Sequence, residues 1–194
     1  YSIINGDFTF HPSPLSLHYH KKKKLKMSKI GVFYGSTTGT TEDVARKIAE
    51  KLNVPQGDIH DASTLTDALV KEYDVLVLGT STWGAGELQD DWYDGVKVLK
   101  KADLSHKFVA LFGCGDSDSY SDTFCDGIGI LYEDLKDTGC TFIGITDTAG
   151  YTFDASVAVV NGKFVGLPID EVNEDSQTDQ RIDQWVEGLK KEIN

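Results

Sequence analysis

The chain alternates between short apolar runs and segments in which apolar residues recur every three or four positions. Residues 30–34 form an apolar, β-favouring run. Further along, Val44, Ile48 and Leu52 recur every four residues, as on one face of a helix. The intervening turn, 35–41, reads Gly-Ser-Thr-Thr-Gly-Thr-Thr. This pattern predicts a buried strand, a hydroxyl-rich turn and the first turn of a helix.

The same alternation continues to the end of the chain. Continuous apolar runs at 74–80 and 107–113 are typical of strands covered on both faces. Weaker strand signals lie at 58–60 and 140–146, and an Asn-Gly pair at 161–162 predicts a hairpin. Helical patterns occupy four further stretches, namely 63–69 with Ser63 as its cap, 88–101, 124–135 and 182–193. The alternation predicts an α/β fold, a doubly wound sandwich with a five-stranded parallel sheet and right-handed crossovers.

A parallel sheet of this kind binds ligands at the carboxyl ends of its strands, where the strand order reverses. Three loops follow the predicted central strands: 35–41, 80–88 and 113–122. We expect these loops to meet at one edge of the sheet and to form the functional site.

The first of these loops has the features of a phosphate site. A helix N-terminus offers unpaired N–H groups and partial positive charge, and the turn adds hydroxyl donors. It lacks the Gly-Lys-Ser/Thr of a P-loop and the dinucleotide fingerprint, and no Lys or Arg lies between Ile30 and Val44. Neutral donors suit a retained monophosphate better than a triphosphate awaiting transfer. A threonine-rich helix cap without a ligand is the alternative. The candidate residues are Ser36, Thr37, Thr38, Gly39, Thr40 and Thr41.

The first 26 residues differ from the rest in composition. They hold three of the five histidines, five lysines and a single carboxylate, and they precede the only methionine, Met27. They lack the order of a secretory signal, with charge before an apolar run. We expect Met27 to be the natural start and residues 1–26 to be a non-native or upstream tail, disordered and dispensable. Residues 27–194 then form one domain.

Charge and cysteine content narrow the classes of partner. The whole chain has a net charge of −12, and without the tail the net charge is −16. Such a chain repels nucleic acid and anionic lipid and is steered toward basic proteins. No run is long and apolar enough to span a membrane. Three cysteines without C-x-x-C spacing indicate free thiols in a reducing cytoplasm and no structural metal.

The second and third loops each carry an aromatic residue. Trp83 lies in Ser-Thr-Trp-Gly-Ala-Gly, and Tyr120 lies near the tip of the Asp- and Ser-rich loop 113–122. Either ring alone is better explained as packing over the end of the sheet. Together, beside a phosphate-type turn, they could enclose a planar ring between them.

These loops, in this order, resemble those of the flavodoxins. The resemblance runs from Met27 to the C-terminus. It includes Gly-Ser-Thr-Thr-Gly-Thr-Thr at 35–41, Thr-Trp-Gly-Ala-Gly-Glu-Leu at 82–88 and Phe-Gly-Cys-Gly-Asp at 112–116. It also includes Phe-Val-Gly-Leu-Pro-Ile-Asp-Glu at 164–171 and the closing helix. The segment 150–177 is similar to the insertion in the last strand that defines the long-chain members.

The resemblance implies noncovalently bound FMN, with its phosphate on residues 36–41 and Trp83 and Tyr120 on opposite faces of the flavin. It also implies that the Gly84–Ala85 peptide turns over when the flavin takes its first electron. At Thr123 and Ala149 the chain departs from members that carry polar flavin-contacting residues there. The ring edge and ribityl chain would be served by the remaining candidates, Ser81, Thr82, Gly84, Cys114, Gly115 and Asp116.

The function implied is that of a monomeric low-potential one-electron carrier, not an enzyme. Its expected partners are basic surfaces of redox proteins such as flavodoxin/ferredoxin-NADP reductase and pyruvate oxidoreductase. Eight carboxylates flank the expected flavin and would disfavour added negative charge: Glu87, Asp90, Asp91, Asp94, Asp116, Asp118, Asp122 and Asp126. The alternatives are an FMN-dependent NAD(P)H:quinone reductase on the same fold and an interaction module without a ligand.

Overall fold

The computed structural model describes residues 28–194, so the predicted tail and the role assigned to Met27 lie outside the described residues. Ten strands and five α-helices follow one another along this part of the chain. The strands are β1 Ile30–Gly35, β2 Ile59–Asp61, β3 Val75–Trp83, β4 Glu87–Leu88, β5 Phe108–Cys114, β6 Thr141–Ile143, β7 Thr146–Asp147, β8 Val159–Val160, β9 Lys163–Phe164 and β10 Leu167–Ile169. The helices are α1 Thr40–Lys51, α2 Asp67–Lys71, α3 Asp91–Lys101, α4 Asp126–Leu135 and α5 Asp175–Ile193.

The main sheet is parallel and has five positions in the order β2-β1-β3-β5, followed by a fifth position that two strands share. β6 pairs with the first half of β5, from Phe108 to Ala110, and β10 pairs with its second half, from Phe112 to Cys114. The short β4 adds an antiparallel pair at the end of β3. The predicted five-stranded doubly wound sheet and the insertion in its last strand are therefore confirmed.

The bounds predicted for the insertion are wrong. The chain leaves the sheet after Ile143, where Gly144 adopts φ +75° and turns the backbone away, and it returns at Leu167. The insertion is therefore 144–166 instead of 150–177, and the strand predicted at 140–146 ends early. The insertion holds a small antiparallel sheet in the order β7-β9-β8. Its hairpin turns at Asn161 and Gly162, both at positive φ, as the Asn-Gly pair predicts.

The helix predicted from Ser63 begins later. The Asp61 carboxylate accepts the backbone N–H of Ser63 and holds residues 62–64 in a single 3-10 turn. α2 starts after Thr66, whose hydroxyl accepts the N–H of Leu69 at 3.1 Å. A local side-chain acceptor at each of two positions thus moves the start of the helix.

The sheet is buried on both faces, which explains its continuous apolar runs. Alternate residues of β3 point to opposite sides. Leu76 and Leu78 pack in the core beneath α3 and α4, whereas Val75 and Val77 pack in the core beneath α1 and α5. Because helices cover both faces of the sheet, a ligand could reach it only at the strand ends, such as those of β1, β3, β5 and β10. Within residues 28–194, no helix is long and apolar enough to cross a membrane.

Candidate functional site

A cleft of about 270 Å³ lies at the carboxyl ends of the parallel strands, where the predicted loops meet. Eleven of the fourteen predicted site residues line it. The other three, Ser36, Thr37 and Gly39, lie in the same turn as the lining residues but outside the cleft wall. The lining residues are Thr38, Thr40, Thr41, Ser81, Thr82, Trp83, Gly84, Cys114, Gly115, Asp116, Tyr120, Thr123, Glu171 and Val172.

A second and larger cleft, of about 420 Å³, separates the insertion from α5. It contains none of the predicted site residues. Ala149, at a position where the resemblance implies a flavin contact in some members, lines this second cleft. We take the smaller cleft as the candidate site because the strand ends and their loops converge there.

The turn before α1 contains hydrogen-bond donors that are not used within the described part of the protein. Gly39 caps the helix at φ +96° with no side-chain cap, and Ser36 Oγ accepts the Gly39 N–H at 3.1 Å. The N–H groups of the first helical turn have no intrahelical acceptor. Thr41 is buried, and its hydroxyl has no hydrogen-bond partner among the described residues. This donor set, neutral throughout, fits a phosphate group.

Trp83, the last residue of β3, lies at the rim of the cleft, so the loop predicted from residue 80 begins later than expected. Its indole is 39% exposed, and its Nε1–H donates to Ser81 Oγ at 2.9 Å. The chain then turns through Gly84 at φ +50°, and the Gly86 N–H donates to the Trp83 carbonyl at 3.1 Å. The Thr82 hydroxyl accepts the Gly127 N–H at 3.0 Å. Thr82 therefore ties the loop to α4 as well as lining the cleft.

The loop after β5 carries Tyr120, which is half exposed, on a turn organised by Asp116. The Tyr120 N–H donates to the Asp116 carbonyl at 3.0 Å. The Asp116 carboxylate accepts the Ser119 N–H and the Asn173 side-chain amide, both at 2.9 Å. These hydrogen bonds lower the pKa of Asp116 below its usual value. Trp83 at the end of β3 and Tyr120 on the loop after β5 thus line one cleft.

Three lining residues were missing from the predicted site: Thr123, Glu171 and Val172. The last two follow Asp170, the first residue after β10, a parallel strand whose carboxyl end reaches the same sheet edge. The sequence pattern places that stretch within the predicted insertion, 150–177, and not at the end of a sheet strand. The oxygens Thr123 Oγ1 and Glu171 Oε1 are buried without a hydrogen-bond partner in the described part of the chain, like the Thr41 hydroxyl.

Asp170 joins the segment after β10 to the loop after β5. It is fully buried, and it accepts the N–H and hydroxyl of Ser117 at 2.9 and 2.6 Å. It also accepts the N–H groups of Val172 and Asn173 at 3.0 and 2.9 Å. Burial works to raise the pKa of Asp170, but the hydrogen bonds from Ser117 and Asn173 outweigh it and hold the pKa below its usual value. Two walls of the cleft therefore share one buried carboxylate.

Cys114 lines the cleft but does not provide a reactive thiolate. Burial raises the pKa of the Cys114 thiol to about 12, so the thiol stays protonated at neutral pH. Cys125, also buried, has its pKa raised by the same cause. Across residues 28–194 no group of His, Cys, Asp and Glu is arranged to hold a metal ion.

The eight flanking carboxylates are not equivalent. Asp116 lines the cleft, whereas Asp94 pairs with Lys97 at 2.7 Å, which lowers the pKa of this exposed carboxylate. Asp126 is buried and accepts the Val157 N–H at 2.8 Å, and burial raises its pKa. Of the eight carboxylates predicted to flank the flavin, Asp94 is therefore offset by a lysine, and Asp126 lies in the protein interior. The cleft-lining Glu171 was not counted among them.

Known proteins that are similar to this chain match it along nearly all of the described residues. Residues 32–185 match the family model described as Flavodoxin. The chain is 44% identical over 173 residues to Flavodoxin 1 of Azotobacter vinelandii, covering 86% of this chain and 98% of that protein. It is 39% identical over 169 residues to Flavodoxin 1 of Escherichia coli, covering 87% and 96%.

A solved structure agrees with these sequence matches. The Fusobacterium nucleatum flavodoxin bound to flavin mononucleotide superposes with a TM-score of 0.79 at 32% identity. The alignment covers 87% of this chain and all of that one. The sequence match and the shared fold both span the strands and loops that form the cleft. This chain therefore belongs to the flavodoxin family.

Proposed function

We propose that the chain binds FMN noncovalently in the cleft at the carboxyl edge of the sheet and carries electrons between other redox proteins. One observation carries this proposal. A turn of neutral donors, with the buried and unpartnered Thr41 hydroxyl, opens into the same cleft as the exposed rings of Trp83 and Tyr120. A phosphate and a planar ring on one ligand would satisfy both parts.

Within this proposal the protein binds, orients and tunes, while the bound flavin supplies one- and two-electron redox chemistry. The turn 36–41 holds the phosphate through N–H and hydroxyl donors. Trp83 and Tyr120 cover the ring and limit its contact with water. The edge of the ring hydrogen-bonds to backbone groups of Ser81, Cys114, Gly115 and Asp116.

The charge around the cleft favours a strong reductant. Two carboxylates line the cleft, Asp116 and Glu171, and no Lys or Arg is among its lining residues. A carboxylate about 10 Å from an added electron costs roughly 0.8 kcal/mol at an effective dielectric near 40. About 1.4 kcal/mol corresponds to about 59 mV for a one-electron couple. Two such charges lower the second reduction potential by about 70 mV.

The same acidity identifies the class of partner. We infer that basic faces of redox proteins, such as flavodoxin/ferredoxin-NADP reductase and pyruvate oxidoreductase, dock over the cleft. The protein acts as a monomer with one flavin. Its cysteines, Cys114, Cys125 and Cys140, are all unpaired, which supports a cytoplasmic location. The insertion in the last strand supports the long-chain class.

The test is the identity and stoichiometry of the bound flavin. Purified protein is expected to be yellow and to release one FMN per chain on denaturation. It is expected not to oxidise NADPH with a quinone unless a separate reductase is added. Protein that binds no FMN when FMN is supplied would overturn the proposal. Turnover of NADPH and quinone by the protein alone would favour the reductase-type enzyme.

A further inference from the structure

Asp126 is a buried carboxylate that the proposed flavin site does not use. It is the first residue of α4, is 6% exposed, and is not among the residues that line the cleft. The partial positive charge at the start of a helix stabilises a carboxylate, but burial still disfavours the charged form and raises its pKa. A residue that carries this cost is explained if its two oxygens make specific contacts.

One oxygen of Asp126 holds the insertion, 144–166. Its Oδ1 atom accepts the N–H of Val157 at 2.8 Å. Gly129, one turn further along α4, packs on the same segment, because a Cβ there would lie 2.5 Å from the backbone of Val157. The insertion is therefore seated on the first turns of α4 through direct backbone contact.

The other oxygen of Asp126 lies against the turn that follows Trp83. Gly86 closes this turn at φ +102°, and a Cβ on Gly86 would lie 2.7 Å from Asp126 Oδ2. The next residue of the helix, Gly127, donates its N–H to the Thr82 hydroxyl at 3.0 Å. The start of α4 thus contacts both ends of the turn, and the turn carries Trp83 at the rim of the cleft.

Backbone hydrogen bonds also join the insertion to the segment just before α4. The N–H groups of Asp154 and Ala155 both donate to the carbonyl of Ser121, at 2.8 and 3.0 Å. The Phe124 N–H donates to the carbonyl of Ala155 at 3.2 Å. Together with the hydrogen bond from Val157, these contacts run through backbone atoms and one short side chain. Because packed interiors transmit displacement, a movement of this part of the insertion reaches the start of α4.

We propose that Asp126 is a positioning residue that couples the insertion to the turn after Trp83 and thereby sets how this turn covers the flavin ring. The part of the inference that concerns the flavin rests on the proposed function, whereas the coupling is a property of the apoprotein. The insertion then contributes to flavin binding although none of its residues lines the cleft.

Four variants of the full chain separate this coupling from the effect of charge and from a general loss of stability. Asp126→Ala removes the carboxylate, and Asp126→Asn removes the charge but keeps an acceptor oxygen for the Val157 N–H. Gly129→Ala leaves the carboxylate in place and forces the insertion away from α4. Gly188→Ala, in α5, is the matched control, because a Cβ there meets nothing within 4 Å.

Two measurements are made on each variant. Hydrogen exchange of the apoprotein, followed by mass spectrometry, compares residues 82–87 with the buried strand 30–35. Quenching of flavin fluorescence measures the affinity for FMN and for lumiflavin, which has the ring without the phosphate-bearing side chain.

We expect Asp126→Ala and Gly129→Ala to speed exchange at 82–87 by about tenfold and to leave exchange at 30–35 unchanged. Both variants are expected to weaken FMN and lumiflavin alike, by about fivefold to tenfold, because the turn covers the ring. Asp126→Asn is expected to lose less, and Gly188→Ala is expected to match the wild type.

Exchange at 82–87 that keeps the wild-type rate in both Asp126→Ala and Gly129→Ala would overturn the coupling. So would equal acceleration at 30–35, which indicates general instability, or losses in Asp126→Asn as large as those in Asp126→Ala, which indicate an effect of charge. Weaker FMN with unchanged lumiflavin would place the effect away from the ring and contradict the inference. If Asp126→Ala does not fold, Gly129→Ala tests the same coupling with the carboxylate present. If the wild-type chain binds no flavin, the proposed function fails while exchange in the apoprotein still tests the coupling.

Discussion

Thr41 combines burial with an unsatisfied hydroxyl, and a bound phosphate would explain both. Valine has nearly the same shape as threonine and lacks the hydroxyl. Thr41→Val is therefore expected to weaken FMN by about 1.5–3 kcal/mol while riboflavin binding stays the same. The same change is expected to raise the unfolding free energy of the apoprotein by about 1 kcal/mol, because an unpaired buried hydroxyl is removed.

Thr178 provides a matched control for Thr41. Its hydroxyl is also buried without a partner among the described residues, but it lies on α5 and does not line the cleft. Thr178→Val is expected to stabilise the apoprotein to a similar extent and to leave FMN affinity unchanged. Calorimetric titration and urea unfolding measure the two quantities. An equal loss of FMN and riboflavin in Thr41→Val would place the phosphate elsewhere.

Gly84 holds the turn after Trp83 in a conformation that favours glycine. Its φ is +50°, and a Cβ there would lie 3.0 Å from Glu87 Oε2, the flexible end of a side chain. The cost of Gly84→Ala is therefore mainly backbone strain, about 1 kcal/mol of unfolding free energy. Asparagine tolerates this region better, so Gly84→Asn is expected to lose less. Equal stability of the wild type and both variants in urea would show that the turn readjusts freely.

At the scale of elements, Asp170 links two loops that carry no regular structure of their own. Asp170→Asn keeps the size of the side chain but removes the charge that five donors share, the fifth being the Asn173 side-chain amide at 3.0 Å. We expect a loss of about 2–3 kcal/mol of unfolding free energy at neutral pH. Because the pKa of Asp170 is lowered in the fold, the wild type keeps this contribution above about pH 4 and loses it as the pH falls further.

The check on Asp170 is urea unfolding at neutral and acid pH. Asp118→Asn, which removes an exposed carboxylate from the same loop, serves as its control and is expected to change stability little. If Asp170→Asn unfolds like the wild type at pH 7, the buried carboxylate does not hold the two loops together.

A second network joins β2 to the segment before β3. The Tyr73 hydroxyl donates to Asp58 Oδ1 at 2.9 Å and lies 2.7 Å from His60 Nε2. A hydroxyl has one proton, so His60 must donate through Nε2–H. Its ring stacks on Phe33 with centroids 5.1 Å apart. Burial lowers the pKa of His60 below its usual value.

The pKa of His60 predicts how stability depends on pH. The unfolded chain takes up a proton near pH 6.5 more readily than the folded one, so the unfolding free energy falls as the pH drops below that value. His60→Gln is expected to show a smaller loss between pH 7.5 and 5.5. His106→Gln, at an exposed position, is the control and is expected to behave like the wild type. An unchanged pH slope in His60→Gln would assign the dependence to other groups.

Strands and helices with a clear pattern of apolar residues could be predicted from the sequence, whereas helix starts and short strands could not. The buried runs of β1, β3 and β5 and the periods of α1, α3 and α5 identified the sheet and its layers. The start of α2 was misplaced because the Asp61 and Thr66 side chains act through single hydrogen bonds. The insertion was misplaced because three-residue strands such as β10 leave too short a pattern to separate from a loop.

The same reason explains which site residues were missed. Residues 38–41, Trp83 and Tyr120 lie at or after the ends of long strands, so the rule that ligands bind at these ends located them from the sequence. Glu171 and Val172 follow a strand of three residues. Their place in the cleft depends on β10 pairing with the second half of β5, a contact between segments far apart in the chain. The burial of Asp126, one of the acidic residues predicted to flank the flavin, was also not predictable, because no periodicity signals it.

At the scale of the whole molecule, the net charge and its distribution over the surface decide how partners approach. Residues 27–194 carry −16 charges, and those beside the cleft add to a field that attracts basic surfaces. Association with a basic reductase is expected to slow by about tenfold or more as ionic strength rises from about 0.01 M to about 0.5 M, where the Debye length becomes short. Stopped-flow mixing under pseudo-first-order conditions measures this rate.

Two charge reversals show whether association depends on the charges near the cleft or only on the total charge of the protein. Asp118 is exposed on the loop that carries Tyr120, whereas Asp137 is exposed beyond the end of α4, at the opposite edge of the sheet. Asp118→Lys and Asp137→Lys change the net charge equally. We expect Asp118→Lys to slow association more and to flatten its dependence on salt, because the partner docks over the cleft. Equal slowing by both variants would mean that only the total charge matters, and a rate independent of salt in the wild type would contradict electrostatic steering altogether.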